Sequence, residues 1–190
     1  MNSGGGWRGG FRRRAPKPPE DPASGEAARG KAMRLLARRD YPSKLLRSRL
    51  GEAGFEAGAV EEAVTDLEDQ RYVNDERYVE SAVAGRAARG QGPIRIALEL
   101  IRQGCPKELV EAYVVRDDPH WSDSATALRE RRFGRGAPGP TKERARQVRF
   151  LLQRGFTSAQ VRAALAAAGD SEDLDLGDDS VDFDADDAAD

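Results

Sequence analysis

Three glycines constrain this chain more than any other feature. Gly54, Gly104 and Gly155 are separated by 50 and 51 residues, and the apolar positions around them match. Leu50, Leu100 and Leu151 lie four residues before them, and Phe55, Cys105 and Phe156 one residue after. Val60, Val110 and Val161 follow at six residues, and Val64, Val114 and Leu165 at ten. Matched apolar positions at such a period mark stacked supersecondary units, each too small to bury its own core well.

Each unit reads as helix, glycine turn, helix. A glycine just past a helix takes the left-handed conformation that closes the end, and the apolar residue after it packs back on the turn. The following helix then starts at a recognisable signal. In the third unit this is Thr157-Ser-Ala-Gln160, a capping box that satisfies free backbone N–H groups. In the second it is Pro106, suited to a first helical turn, and in the first it is Glu56, an acid near the positive helix end.

A further helix precedes each pair. Residues 31–39 are helical by propensity. Residues 75–89 put Tyr78, Ala82 and Val83 on one stripe behind Asn74, a good N-cap. Residues 121–133 turn Trp121, Ala125, Leu128 and Phe133 toward a core, and Pro42, Pro93 and Pro140 punctuate the approach to each glycine-terminated helix. No segment alternates with the period of two that a strand needs. The expectation is an all-α chain of three tandem three-helix, helix-turn-helix-like repeats, 31–72, 73–116 and 117–169, forming an elongated, curved body. Residues 1–30, rich in Gly, Pro and Arg, and residues 170–190, rich in acids, read as disordered tails. In the first, Trp7, Phe11 and the Arg12–Arg14 run suit weak stacking and charge contacts with nucleic acid, or a passive arm. In the second, Leu174, Leu176, Val181 and Phe183 are spaced among acids.

Charge is sharply segregated. The net charge of −2 hides 11 acidic residues and no basic one from Asp170 to Asp190. Residues 40–80 carry a net −6, whereas 129–154 carry a net +7. One end of the body is therefore acidic and the other strongly basic, as a surface lying along a mixed-charge polymer would require. Solvated helix faces with internal ion pairs are the plainer reading of any single charge.

Other functions find little support. No run approaches 18 apolar residues, so no transmembrane helix is expected. The N-terminus lacks the apolar segment of a secretory signal. The single Cys105 cannot form an internal disulfide, which fits a reducing cytosol. One Cys and one His, His120, make no zinc constellation and leave a histidine-dependent triad improbable. Gly90 and Gly92 lack phosphate-loop spacing. No catalytic residue, cofactor or metal is expected.

The landmarks taken in order resemble the RecX family of recombinase regulators. They are Leu35-Leu36-Ala37-Arg38-Arg39-Asp40-Tyr41, Leu50 to Phe55, and Tyr72-Val73-Asn74-Asp75-Glu76-Arg77-Tyr78. Arg86 to Arg89, Gly92-Pro93-Ile94-Arg95 and the run from Lys142 to Phe156 complete them. The resemblance spans about residues 31–167 and departs at Arg71, where the family pattern has glycine. It implies a cytoplasmic protein without catalytic residues of its own. Such a protein binds the RecA filament on single-stranded DNA and damps its ATPase, strand-exchange and co-protease activities. A monomer is expected, with single- or double-stranded DNA as a further partner through the basic third repeat.

Eight cations are candidates for that contact. Lys142, Arg146 and Arg149 share one face of a helix over 140–154, with Val148, Leu151 and Leu152 on the other, and Arg144 belongs to the same cluster. Arg95 and Arg102 share a face with Glu99 between them, so partner contact and internal pairing are both open. Arg86 and Arg89 precede the turn at Gly90-Gln91-Gly92-Pro93. A second reading is a helix-turn-helix DNA-binding transcription regulator, since each glycine-turned pair mimics that motif. Its third second helix offers mainly Gln160 and Arg162 to bases. An acidic tail competing for the basic segment also follows from charge alone.

Overall fold

The structure is a computed structural model, described for residues 18–139 and 141–170. Regular structure among these residues is entirely helical and falls into three triplets. The first is α1 (Gly25–Leu36), α2 (Ser43–Glu52) and α3 (Ala57–Asp69). The second is α4 (Asp75–Ala88), α5 (Pro93–Arg102) and α6 (Lys107–Tyr113), and the third α7 (His120–Phe133), α8 (Lys142–Gln153) and α9 (Ser158–Ala166). Extensive helix-on-helix packing stays inside each triplet.

The three turn glycines do the same job. Gly54, Gly104 and Gly155 have φ of 96°, 90° and 87°, values that favour a residue without Cβ. The next N–H, on Phe55, Cys105 or Phe156, then donates back to the carbonyl of Leu50, Leu100 or Leu151 at 3.3, 3.1 and 3.3 Å. This closes otherwise unpaired carbonyls at the helix end. Arg71 occupies the corresponding place after α3 with φ 59°, and Tyr72 N–H donates to Leu67 O at 2.9 Å. The Arg77 guanidinium binds the carbonyls of Arg71 and Tyr72 and braces that non-glycine turn.

Four local expectations need correction. The boundary of the arm at residue 30 is too late: α1 starts at Gly25, because Ser24 Oγ accepts from Ala27 N–H and caps it. The helix also stops at Leu36 rather than 39. Pro106 is the N-cap of α6, not its first helical residue. Leu152 is 38% exposed and does not join Val148 and Leu151 in the core. The Thr157–Gln160 capping box and the Asn74 cap form as read. Pro140, Trp7, Phe11, Arg12–Arg14 and the apolar residues of the tail lie outside the described residues.

The units stack by a repeated contact. A Cβ on Gly104 would lie 2.9 Å from Lys44 Cβ at the start of α2, and one on Gly155 would lie 2.3 Å from Arg95 Cβ at the start of α5. Each glycine turn is thus covered by the head of a helix one unit upstream. In the first unit Pro19 takes the covering position, 3.1 Å from a Cβ on Gly54. Glu56 N–H donates to Pro22 O at 2.9 Å, so residues 18–22 act as an end cap for the stack.

The two junctions differ. Units two and three share one apolar cluster, which runs from Val79, Ile96 and Leu100 through Val110 and Trp121 to Leu151, Phe156 and Leu165. Gly92 N–H donates to Arg154 O and Ile94 N–H to Gly155 O, which locks their backbones together. Unit one keeps its own cluster of Leu46, Leu50, Val64, Leu67 and neighbours. Asp75 joins it to unit two by accepting from Ser43 N–H and Ser43 Oγ at 2.7 and 2.8 Å.

Candidate nucleic-acid interface

The basic segment folds into a single cationic face. The end of α7 exposes Arg131 and Arg132, and α8 exposes Lys142, Arg146 and Arg149 beside them. Two adjoining clefts run across this surface. One is lined by Leu128, Arg131, Arg132, Phe150 and Arg154. The other is lined by Arg132, Phe133, Arg146, Arg149, Phe150 and Gln153.

Aromatic rings position the cations. Phe133 and Phe150 meet edge to face with centroids 5.3 Å apart. The Arg146 guanidinium lies 5.7 Å from the Phe133 ring, and that of Arg154 lies 5.2 Å from Phe150. A guanidinium held over a ring loses less freedom when it meets a phosphate. These rings therefore stiffen the arginines.

Arg129 sets the shape of the face from beneath. It is 1% exposed and donates to Gln147 Oε1 at 2.8 Å, Gly134 O at 3.1 Å and Gly136 O at 2.5 Å. These three acceptors are uncharged. One guanidinium thereby fastens α7, the connecting loop and α8, while its own positive charge adds to the potential above.

The other predicted cations are placed differently. Arg144 is largely buried, and its Nε pairs with Asp170 Oδ2 at 2.6 Å. Arg86 turns inward, donating to Glu99 at 3.2 Å and to Gln103 Oε1 at 3.0 Å, where Gln103 also accepts from the Tyr78 hydroxyl. Arg95 pairs with Glu99 at 2.8 Å and reaches Gln153 O at 3.5 Å, on the rim of the second cleft. Arg95, and behind it Arg86, hold the Glu99 carboxyl below its ordinary range. Arg89 and Arg102 are exposed on unit two, and Arg89 precedes Gly90, whose Cβ position would lie 2.9 Å from Leu128 of the first cleft. The structure thus groups Arg146 and Arg149 with Arg131, Arg132 and Arg154, which the spacing on α8 alone does not reveal, and Lys142 continues their side of α8. Their signal in the sequence was the charge of 129–154 as a block.

Other chemistry is sparse. Among the described residues no group of three or more His, Cys, Asp or Glu side chains is placed to hold a metal ion. Cys105 is buried, and burial pushes its thiol up to about 11, so it is a poor nucleophile at neutral pH. Among the described residues no helix is long and apolar enough to cross a membrane.

Comparison with known proteins follows the same three units. Residues 28–67, 74–114 and 122–165 match the first, second and third three-helix domains of RecX. The chain belongs to the RecX family. The Regulatory protein RecX of Halorhodospira halophila is 40% identical over 151 residues, covering 80% of this chain and 94% of that protein. The Regulatory protein RecX of Acidithiobacillus ferrooxidans is 38% identical over 138 residues, covering 72% and 87%. Among solved structures, RecX from Lactobacillus salivarius superposes with a TM-score of 0.66 at 18% identity, covering 76% of this chain and 96% of that one. A second RecX crystal structure gives 0.60 at 19%, covering 73% and 70%. The all-α fold of tandem three-helix units is therefore the RecX fold, and the family is a regulatory one.

Proposed function

We propose that this RecX chain binds the filament that a RecA recombinase forms on single-stranded DNA, and restrains its ATPase, strand-exchange and co-protease activities. It acts in the cytoplasm, as a monomer and without chemistry of its own. The cationic face of α7 and α8 meets DNA phosphate or acidic recombinase surface, with Lys142, Arg146 and Arg149 at its centre. The observation that carries this reading is the convergence of those cations with Arg131 and Arg132 over the buried Arg129. Arg95 extends the face toward unit two, and exposed Arg89 and Arg102 lie available on that unit. Arg86 and Arg144 serve it by orienting their helices, since both are tied to carboxylates.

The helix-turn-helix regulator is the weaker reading. Gln160, the leading base-reading candidate of α9, is 4% exposed. Its Oε1 accepts from Thr157 N–H and its Nε2 donates to Arg116 O, so its amide is consumed in the fold. Arg162 is left as a lone reader on that helix, too little for strong sequence discrimination.

The deciding experiment is ATP hydrolysis by the cognate RecA on single-stranded DNA, titrated with this chain. Inhibition well below one copy per RecA protomer is expected, because a blocked or dismantled filament silences many protomers at once. No effect at molar excess of a folded, helical chain would refute the filament reading.

A further inference from the structure

The last described residue sits where a tail can be aimed. Helix α9 ends at Ala166, Gly169 then reverses the chain with a φ of 88°, and Asp170 N–H donates to Leu165 O at 3.1 Å. The Asp170 carboxylate is then held by Arg144 on the first turns of α8, with side chains only 7% and 14% exposed. A Cβ on Gly169 would stand 4.0 Å from Ala137, in the loop between α7 and α8. The chain therefore leaves the fold beside the α7–α8 loop and the first turns of α8, within reach of the cationic face.

What leaves there is charged opposite to that face. Residues 171–190 contain 10 acidic side chains and no basic one, whereas 129–154 carry a net +7. Reach is ample. Arg144 lies across α8 from the stripe of Lys142, Arg146 and Arg149, so the chain must first pass around the helix end. Crossing a helix some 10 Å wide takes roughly three to four extended residues. Those remaining span far more than the ~18 Å length of α8. A segment tethered at this distance sees its target at an effective concentration in the millimolar range, so weak ion pairs suffice for substantial occupancy.

We propose that the acidic segment 171–190 folds back across the cationic face of α7 and α8, and that a polyanionic partner must displace it to bind. The contact is a built-in filter: a short or sparse run of phosphates loses to the tail, whereas a long continuous array displaces it. The filtering role rests on the nucleic-acid reading of this face, but the tail contact itself does not.

The test uses the full chain and a full-length variant with the ten acids of 171–190 replaced by Asn or Gln. Binding of a fluorescent oligothymidine is measured by anisotropy at low and high salt. A labelled peptide of residues 171–190 is titrated onto the same variant, with and without Lys142→Ala, Arg146→Ala and Arg149→Ala. Neutralising the tail should raise oligothymidine affinity about tenfold at low salt, with the gain shrinking as salt rises. The peptide should bind the neutralised chain and lose that binding in the triple variant. Equal oligothymidine affinity of the two chains at low salt, or no capture of the peptide, overturns the proposal. Capture of the peptide with no oligothymidine bound by either chain upholds the tail contact and overturns the nucleic-acid reading of the face instead.

Discussion

Arg129 and Gln147, 18 residues apart and each 1% exposed, are joined by a 2.8 Å hydrogen bond beneath the cationic face. The guanidinium meets three uncharged acceptors, so its stability comes from geometry and not from an ion pair. Replacing Arg129 by Ala strands the buried Gln147 Oε1 and frees the carbonyls of Gly134 and Gly136, which belong to exposed residues and can turn to water. One stranded buried group costs about 1–3 kcal/mol, so Arg129→Ala should lower stability by about 2 kcal/mol. Gln147→Ala leaves two of the three bonds in place and should cost less. Urea unfolding followed by circular dichroism decides the order; equal and small losses would show the loop held by other contacts.

The same substitution should act with opposite sign at two glycines. A Cβ on Gly92 would lie 2.3 Å from the carbonyl of Gly155, so Gly92→Ala pries units two and three apart. Overpacking of that kind costs about 3 kcal/mol. Gly58, on the exposed surface of α3, has nothing within 4 Å of its Cβ position. Gly58→Ala should stabilise by about 0.5 kcal/mol, because alanine loses less backbone freedom on entering a helix. Thermal denaturation of the two variants reads both signs.

Removing Lys142, Arg146 and Arg149 together should weaken single-stranded DNA binding without unfolding the chain, since all three are exposed. If each neutralises one phosphate, the slope of log affinity against log salt should fall by about 2. An unchanged slope would place the DNA contact elsewhere. The same variant should inhibit RecA ATPase poorly if the face meets the filament.

Cys105 supplies a pH signature of the core of units two and three. Burial, the leading cause, raises its thiol from an ordinary 9.0 to about 11. The unfolded thiol ionises first as pH climbs, so protons are bound more tightly by the folded state. Stability from this group is fully present below pH 9.0 and drains away between there and about 11. Unfolding free energy measured across that range should fall, and Cys105→Ala or Cys105→Val should flatten the fall. At neutral pH the thiol should react with a maleimide on unfolding and hardly at all before it.

Much of this molecule was legible before any coordinates. The glycine spacing, the matched leucines and valines, the Asn74 cap and the Thr157–Gln160 box are local signals, and each became the element it announced. The exposed stripe of Lys142, Arg146 and Arg149 was also readable, because helical periodicity alone puts those side chains together. Ser24 is less legible because a serine inside a Pro- and Gly-rich stretch looks like linker, although its cap is a local contact with Ala27.

Tertiary structure decided the rest, and the reason is sequence distance. Helix positions, turn glycines and net charge by segment depend on residues within a few positions of one another, which the order of amino acids determines by itself. Whether Arg86 faces solvent or Glu99, whether Arg129 lies on the surface or under it, and whether Asp75 caps its own helix or the head of α2 depend on partners 13 to 32 residues away. The first two partners are chosen by how helices pack within a unit, and the third by how the units stack. Backbone contact at Gly92 and Gly155 brings the heads of helices onto the turns of the next unit, and the packing of α7 on α8 over Arg129 makes their cations one face.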